Sequence, residues 1–426
     1  MTTDMTTRRL FLASAASLIA APALARSERG RLELASAATL ARNEIRLAPG
    51  VTVTRGLTLA PGTRLIADRA GSTLKLAGAG PLLRVEGADR IAVENVAFDG
   101  AHAVRDGGLI EARDVGEFVM EGCVLRNAGR DAIRLERCGG AIARTTIRNA
   151  GRGGVFSLDS RGLTLQSLHV EDIGDNAIQI WTSTPRHDGS RILDCRIHKV
   201  AMRSGGNGQN GNGVSIFRAG GVIARGNRIS NCGFSALRNN GGRDVRFLDN
   251  ACVASGETAI FAEFAYRDVT IRNNLIDGGS SGIQMTNFAD AGGRGGVCAD
   301  NVIRNIHRYF DPKAEEWGSE CAIKVEAETL VTRNRVEGAP WVGVLVGWGP
   351  SLKDVRVEDN VIRDAPIGVG VSVAPGAGAA RIARNRIENA KDGAVVALRW
   401  MEKASGDLTK EQNRFANVTL ESNVTA

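Results

Sequence analysis

Apolar and polar residues alternate along most of this chain in short runs, and the runs return at a nearly fixed interval. The stretch VIARGNRISNCGFSAL (222–237) holds one full unit: an apolar-alternating run ending in Asn, an apolar residue two places on, a Gly/Asn/Ser turn, and a second short strand. Its asparagine recurs as Asn227, Asn250, Asn274, Asn301, Asn334, Asn360 and Asn385, at steps of 23, 24, 27, 33, 26 and 25 residues. Two places after each stand Ile229, Cys252, Ile276, Ile303, Val336, Ile362 and Ile387, in phase with it. A second signature, a small residue followed by an apolar-x-apolar triplet, starts at Ala132, Gly154, Ala177, Gly213, Ala236, Ala259, Gly282, Ala322, Gly343, Gly368 and Ala394. Its usual spacing is 23, and two intervals are long, 36 residues after Ala177 and 40 after Gly282.

A period in the twenties with short strands and Gly/Asn punctuation is that of a solenoid, in which no repeat buries its own apolar face and each stacks on its neighbours. Leucine-rich repeats share the period but need regularly placed leucines and a helical segment, and neither is present. The pattern therefore predicts an all-β parallel β-helix. The Asn column reads as structural: Asn tolerates left-handed backbone, and amides stacked ~4.8 Å apart can bond from coil to coil.

The chain divides accordingly. Residues 26–90 read as an N-terminal cap and first irregular coils, with ELASAATLAR predicted as a short helix over the open first coil, because an uncovered solenoid end exposes strand edges and core. Residues 91–400 read as regular coils. Residues 401–426 read as a charged excursion followed by a closing strand, VTLESN.

Composition refines this reading without changing it. Gly is high at 52 of 426 residues and aromatics are low at 4%, as frequent turns require. The formal charge of +7 is spread along the chain with no Lys/Arg run of five or more, which speaks for solubility rather than for a nucleic-acid patch. Seven cysteines at irregular spacing, without a CxxC pair, read as buried free thiols rather than a disulfide framework or zinc site. The five histidines form no short-spaced pair, so their spacing supports no metal. RSGGNGQNGNG lacks the Lys-Ser/Thr ending of a phosphate loop.

The N-terminus carries a targeting pattern. Arg8 and Arg9 precede an apolar run from Leu10 to Ala21, and Ala23-Leu24-Ala25 has the small-x-small form of a cleavage site. The run is too short for a permanent membrane anchor. Residues 1–25 closely resemble a twin-arginine export signal, which implies recognition by that export machinery, crossing in the folded state, and a periplasmic or secreted mature protein. Export after folding is consistent with a cofactor inserted beforehand or with a fold completed inside, and leaves the cofactor unknown.

With that leader, repeats such as VTIRNNLI…SSGIQM (269–285) resemble a family of twin-arginine-exported, right-handed parallel β-helix proteins, pectin-lyase-like in fold. The resemblance covers essentially the whole chain. The repeats are similar to those of pectate lyases, polygalacturonases and β-helix mannuronan C5-epimerases, which implies action on acidic polysaccharide. Pro185-Arg186-His187-Asp188, in the first long interval, partly matches the Asp-Pro-His-Asp motif of such epimerases, with Thr184 in place of the leading Asp and Arg186 intervening.

Strand alternation then places two columns outside the core: Gln179, Ser215, Arg238, Phe261, Gln284, Lys324, and beyond them Trp181, Phe217, Asn240, Glu263, Thr286, Glu326. This mixture suits a saccharide, and Gln179, Trp181, Asn240, Glu263, Gln284 and Glu326 are the candidate binding residues. The long intervals fall on the coils bounding the face, where loops would wall a groove. For elimination or epimerisation at a uronate, His187 with Asp188 is the candidate base and Arg238 or Lys324 the stabiliser of enolate-like charge. Hydrolysis would use Glu263 and Glu326, two coils and about 9.5 Å apart. A non-catalytic envelope scaffold or a cofactor-binding protein remain the alternatives from other classes.

Overall fold

The computed structural model describes residues 38–41, 43–68, 71–206, 208–286, 292–308, 310–311, 316–317, 320–411 and 414–426. Within them the chain winds as a parallel β-solenoid. Each turn carries three short strands, for example Asp131–Glu136, Gly140–Ala143 and Thr146–Ala150. Each pairs in parallel with its equivalent one turn on, Ile133 opposite Val155, Ile142 opposite Leu165 and Ile147 opposite Val170. Three ladders result, the faces of a long prism. The third runs through 15 strands, from Gly50–Thr54 to Val424–Thr425.

Stacking begins earlier than the repeat signature suggested. Glu44–Leu47 already pairs in parallel with Arg64–Ala67, and Gly50–Thr54 with Ser72–Leu76. What stacking needs is apolar residues in register, and Ile45 opposite Leu65 and Leu47 opposite Ala67 supply them, with Leu47 and Leu65 fully buried. Residues 33–37 of the run read as a capping helix, like the leader with Arg8 and Arg9, lie outside the described residues. The following Ala38–Ala41 is a strand, antiparallel to Glu44–Leu47. The open edge of the first coil offers unpaired backbone groups, and a strand satisfies them directly where a helix cannot.

One continuous apolar core fills the prism. At each first strand two consecutive residues enter it, such as Ala177 with Ile178, so the backbone bends there and the first of the pair must be small. A Cβ on Gly213 would fall 2.5 Å from Ile229 Cγ2, and one on Gly343 would fall 2.5 Å from Ile362 Cγ2. The small-residue signature is thus a packing requirement.

The asparagines form a buried ladder at one corner. The side-chain amide of Asn227 donates to Asn250 Oδ1 at 2.9 Å, and the series continues through Asn274, Asn301, Asn334, Asn360 and Asn385 to Asn423. Each oxygen also accepts the preceding asparagine's backbone N–H, as Asn274 Oδ1 does from Asn250 at 3.0 Å, and the second amide hydrogen reaches a strand carbonyl, Ala224 O at 3.0 Å for Asn250. The left-handed backbone falls on the preceding residue, not on the asparagine: Gly226, Asp249, Asn273, Asp300, Arg333, Asp359 and Arg384 all have φ between 54° and 69°. That residue turns the corner with its own side chain outward, which leaves the asparagine free to point in.

Cys195 occupies the same column, its backbone N–H donating to Asn227 Oδ1 at 2.9 Å. All seven cysteines are buried and none forms a disulfide. Past the last complete turn, Glu402–Asp407 lies antiparallel to Gly393–Arg399, and Val418–Glu421 returns to stack on Ala380–Ala383. Among the described residues no helix is long and apolar enough to cross a membrane.

Candidate functional site

The first ladder carries the candidate face. Ile178, Val214, Leu237, Ile260, Ile283 and Ile323 all point into the core. The residues following them stand outside in register, Gln179 opposite Ser215, then Arg238, Phe261, Gln284 and Lys324. Trp181, Phe217, Asn240 and Glu263 form the next column. Both columns extend one turn back to Phe156 and Leu158, and two turns back to Arg134 and Glu136.

The face is open at one end and covered at the other. Arg84, Glu86 and Arg113 are exposed, and Glu111, Arg134 and Glu136 line an open depression with them. Trp181, Phe217 and Asn240 are half-buried. Gln179, Ser215, Arg238, Phe261, Gln284, Lys324, Glu263, Thr286 and Glu326 are at most 8% exposed, although alternation alone predicted a solvated wall. Phe261 stays outside the core cluster, so it is covered from without.

Part of the cover is the insertion after Val200. Asp175 accepts hydrogen bonds from Ser204 N at 2.8 Å and Ser204 Oγ at 2.7 Å. Asn176 donates to Gln209 O at 2.9 Å, and Asn212 donates to both Asn176 Oδ1 and Gly208 O at 2.9 Å. Gly208, at φ +92°, sits so close over Phe234 and the Arg238 guanidinium that a Cβ would fall 2.7 Å from the Phe234 ring. Only glycine combines that backbone with that approach. At the opposite edge, the strand Asn176–His187 bulges between Trp181 and Arg186. Ser183 is pinned there by Asp159 Oδ1, which accepts from its N at 2.9 Å and its Oγ at 3.1 Å, while Arg218 Nη1 donates to Ser183 O at 3.0 Å. The first long interval thus contributes to both edges of the face. In the second, Phe310–Asp311 pairs with Glu316–Trp317 as a small antiparallel hairpin, and residues 287–291 lie outside those described.

Between these edges runs a stack of three rings closed by a guanidinium at each end. Arg134 lies 4.5 Å over Phe156, Phe156 and Trp181 are 5.6 Å apart edge to face, Trp181 and Phe217 are 5.6 Å apart, and Arg218 lies 4.6 Å over Phe217. Trp181 Nε1 donates to Ser215 Oγ at 3.3 Å. Arg134 is also 3.6 Å from Asp131, a buried carboxylate that accepts Gly153 N at 3.0 Å and whose pKa burial raises against the pull of Arg152 and Arg134. Phe156, Arg134 and Arg218 were not among the residues singled out from sequence. Phe156 was legible, because Val155 is in phase with Ile178.

Deeper along the face Arg238 and Glu263 form a buried ion pair, Arg238 Nε donating to Glu263 Oε1 at 2.6 Å, with Asn240 donating to the same oxygen at 3.3 Å. Burial pushes the Glu263 carboxyl above its ordinary value, opposed by the Arg238 charge. Lys324 lies 4.8 Å over Trp348 and 3.9 Å from Glu326. Gln284 donates to Thr258 Oγ1 at 2.9 Å.

His187 and Asp188 stand elsewhere. His187 is opposite Gly220, five residues along from Ser215, the partner of Arg238, which is roughly 16 Å of extended chain. It is exposed and its ring lies against Gly221, while Asp188 is buried, accepts Ser190 N at 2.9 Å through Oδ1, and is raised above its ordinary value by burial. The structure therefore does not bring His187 and Asp188 together with Arg238 or Lys324. The bulge after Trp181 carries the Pro-Arg-His-Asp stretch round the corner to the edge of the face.

A family model described as a right handed beta helix region matches residues 82–208 and 186–351. No curated protein is matched by the sequence. Solved structures of similar form include the A-module of a mannuronan C-5 epimerase of Azotobacter vinelandii, at 13% identity over 95% of this chain and 94% of that one, TM-score 0.45. A periplasmic alginate epimerase matches at 10% identity over 90% and 85%, TM-score 0.39. A surface protein and adhesin of Streptococcus pneumoniae matches at 10% identity over 94% and 91%, TM-score 0.37. At these values the likeness carries no argument about activity, which has to be argued from the side chains themselves.

Proposed function

From the premise that this chain belongs to the right-handed β-helix family, we propose that it is an exported protein that binds an acidic polysaccharide along the outer face of its first ladder. The observation that carries this reading is the stack Arg134–Phe156–Trp181–Phe217–Arg218 lying between two anchored insertions. Aromatic rings pack on the C–H faces of sugars, and the guanidiniums at either end pair with carboxylates in bidentate geometry. Asp131 tempers Arg134, whereas Arg218 has no acidic partner among the described residues. Asn240, half-buried, borders the same stretch and offers a bond to a hydroxyl, while Gln179 and Glu263 lie covered beside it.

Lyase or C5-epimerase chemistry through His187, Asp188, Arg238 and Lys324 is the less favoured form of this reading, because the proposed base and the proposed cations occupy different parts of the surface and Arg238 is already paired with Glu263. Hydrolysis by Glu263 and Glu326 is less favoured as well, because both are covered at 3% exposure and Glu263 is already bonded to Arg238 and Asn240. Binding needs neither.

The experiment is calorimetric titration of the mature protein with alginate, polygalacturonate and a neutral glucan, repeated with Trp181→Ala and Arg218→Gln. Binding to the uronates that falls at least tenfold in Trp181→Ala, with Arg218→Gln losing the preference over the neutral glucan, supports the reading. Unchanged affinity in Trp181→Ala overturns it. Appearance of unsaturated uronate product during the titration would restore the lyase form.

A further inference from the structure

The face is a trough with one end open and the other stopped. Followed from turn to turn, the outer column passes from exposed Glu86 and Arg113, through half-buried Trp181, Phe217 and Asn240, to Glu263 at 3% exposure. Beside it, Arg84 is exposed and Arg134 half-buried, and the inner column is covered from Phe156 at 9% through Arg238 at 6% exposure. The stop is built: Gly208 and Phe234 roof Arg238, and the loop carrying Gly208 is tied down through Ser204 to Asp175 and through Gln209 and Asn212 to Asn176. At the foot of the stop lies a polar cluster, the Glu263 carboxylate with the Arg238 guanidinium and the half-open Asn240 amide.

We propose that the trough recognises the end of a glycan chain and not its interior. This rests on the saccharide reading above and sharpens it. A polymer lying along the aromatic stack with its axis parallel to the solenoid cannot continue past Asn240, because Glu263 and the turns after it are covered. Only a terminal sugar fits against the stop. A terminal sugar differs chemically from an internal one by a free hydroxyl where a glycosidic bond would be, and that hydroxyl is both donor and acceptor. The half-buried Asn240 amide answers both roles: its carbonyl oxygen accepts, and its amide, which gives one hydrogen to Glu263 Oε1, has a second to donate. The two turns from Trp181 to Asn240 span about 9.6 Å, so the last sugars stack on Trp181 and Phe217 while the terminus reaches Asn240.

The stoichiometry of binding decides the matter. Size-fractionated oligogalacturonates and oligoalginates of short, intermediate and long length are titrated against the mature protein, and the number of protein molecules bound per chain is read by calorimetry and by analytical ultracentrifugation. End recognition gives a number that stays fixed as chains lengthen. A number that grows in proportion to length overturns end recognition and leaves the saccharide reading standing, whereas no binding at any length removes both. In a second arm Asn240→Ala lowers affinity for short oligomers severalfold while keeping the aromatic contacts, and equal affinity in wild type and Asn240→Ala counts against the stop as a recognition element. Shortening the loop between Ser204 and Asn212 opens the trough, and stoichiometry should then begin to rise with length.

Discussion

Replacing Asn274 by Ala tests whether the amide ladder, rather than apolar packing alone, holds adjacent turns in register. Asn274 Oδ1 accepts the backbone N–H and the side-chain amide of Asn250, each at 3.0 Å, and its own amide donates to Asn301 Oδ1 and Phe247 O, each at 3.0 Å. Truncation removes these four bonds, and a fifth to Arg272 O at 3.1 Å, at a site 2% exposed. The partners fare unequally. Asn250 Nδ2 keeps Ala224 O, and Asn301 Oδ1 keeps the backbone N–H of residue 274, while the Asn250 N–H loses its acceptor in a place water does not reach. One orphaned buried donor costs about 1–3 kcal/mol and each of the other lost bonds roughly 0.5–1.5 kcal/mol, so a loss of about 3–5 kcal/mol follows. Asn423→Ala at the end of the column is the control. Asn423 is half-buried, donates to Ile382 O at 2.8 Å and serves only one neighbour, so about 1–2 kcal/mol is expected. Guanidinium unfolding of the protein, followed by circular dichroism, gives the comparison; midpoints are the quantity to compare, because a long repeat array need not unfold in one step. Asn274→Asp keeps the acceptor, loses the donors and buries a charge, and should be no better than Ala at neutral pH. Equal midpoints for Asn274→Ala and Asn423→Ala would refute the assignment of register to the ladder.

Removing one partner of the buried pair, in Arg238→Met or Glu263→Gln, leaves an uncompensated or half-bonded group and should cost about 3–5 kcal/mol by thermal or denaturant unfolding, while the double replacement Arg238→Met/Glu263→Leu recovers most of it. A double variant no more stable than the singles contradicts this. Burial raises the Asp188 carboxyl, so its protonated form is the one the fold prefers: that contribution is complete below the unfolded value and is lost as pH rises through the raised folded one. Asp188→Asn should therefore gain stability over the wild type at neutral pH, with the gain shrinking in acid; a gain that grows in acid reverses the sign. Burial pushes the thiols of Cys123, Cys195, Cys232, Cys298 and Cys321 up to about 12, so a maleimide should label none of them in the native protein and all seven cysteines in denaturant. Replacing Arg8 and Arg9 with Lys should trap the full-length protein in the cytoplasmic fraction on cell fractionation if export follows the twin-arginine route.

The solenoid was legible because its cause is local and repeated. Each turn must place apolar residues where the previous turn placed them, and the asparagine must meet an asparagine, so the period of the chain is the pitch of the fold. The same argument gave the outward columns, since strand alternation fixes which side of the sheet Gln179, Arg238 or Glu263 occupies. Two errors at this level had local causes: the left-handed residue is Asp249 or Arg384 rather than the asparagine after it, and Ala38–Ala41 pairs as an edge strand where a helix was expected.

Exposure was a different matter. Whether an outward side chain meets solvent depends on what folds over it, and that is decided by segments distant in sequence, such as Gly208 over Arg238 and Ser204 on Asp175. Period and alternation reach one turn in each direction and carry no information about where an insertion comes to rest. So the sequence by itself determined the winding, the core and the facing of every strand, because these follow from stacking identical units. The tertiary structure alone decided that the face is open over Arg84 and Arg113 and stopped at Glu263, and that His187 lies apart from Arg238, because each depends on irregular loops anchored by a few side-chain hydrogen bonds and not on the repeat.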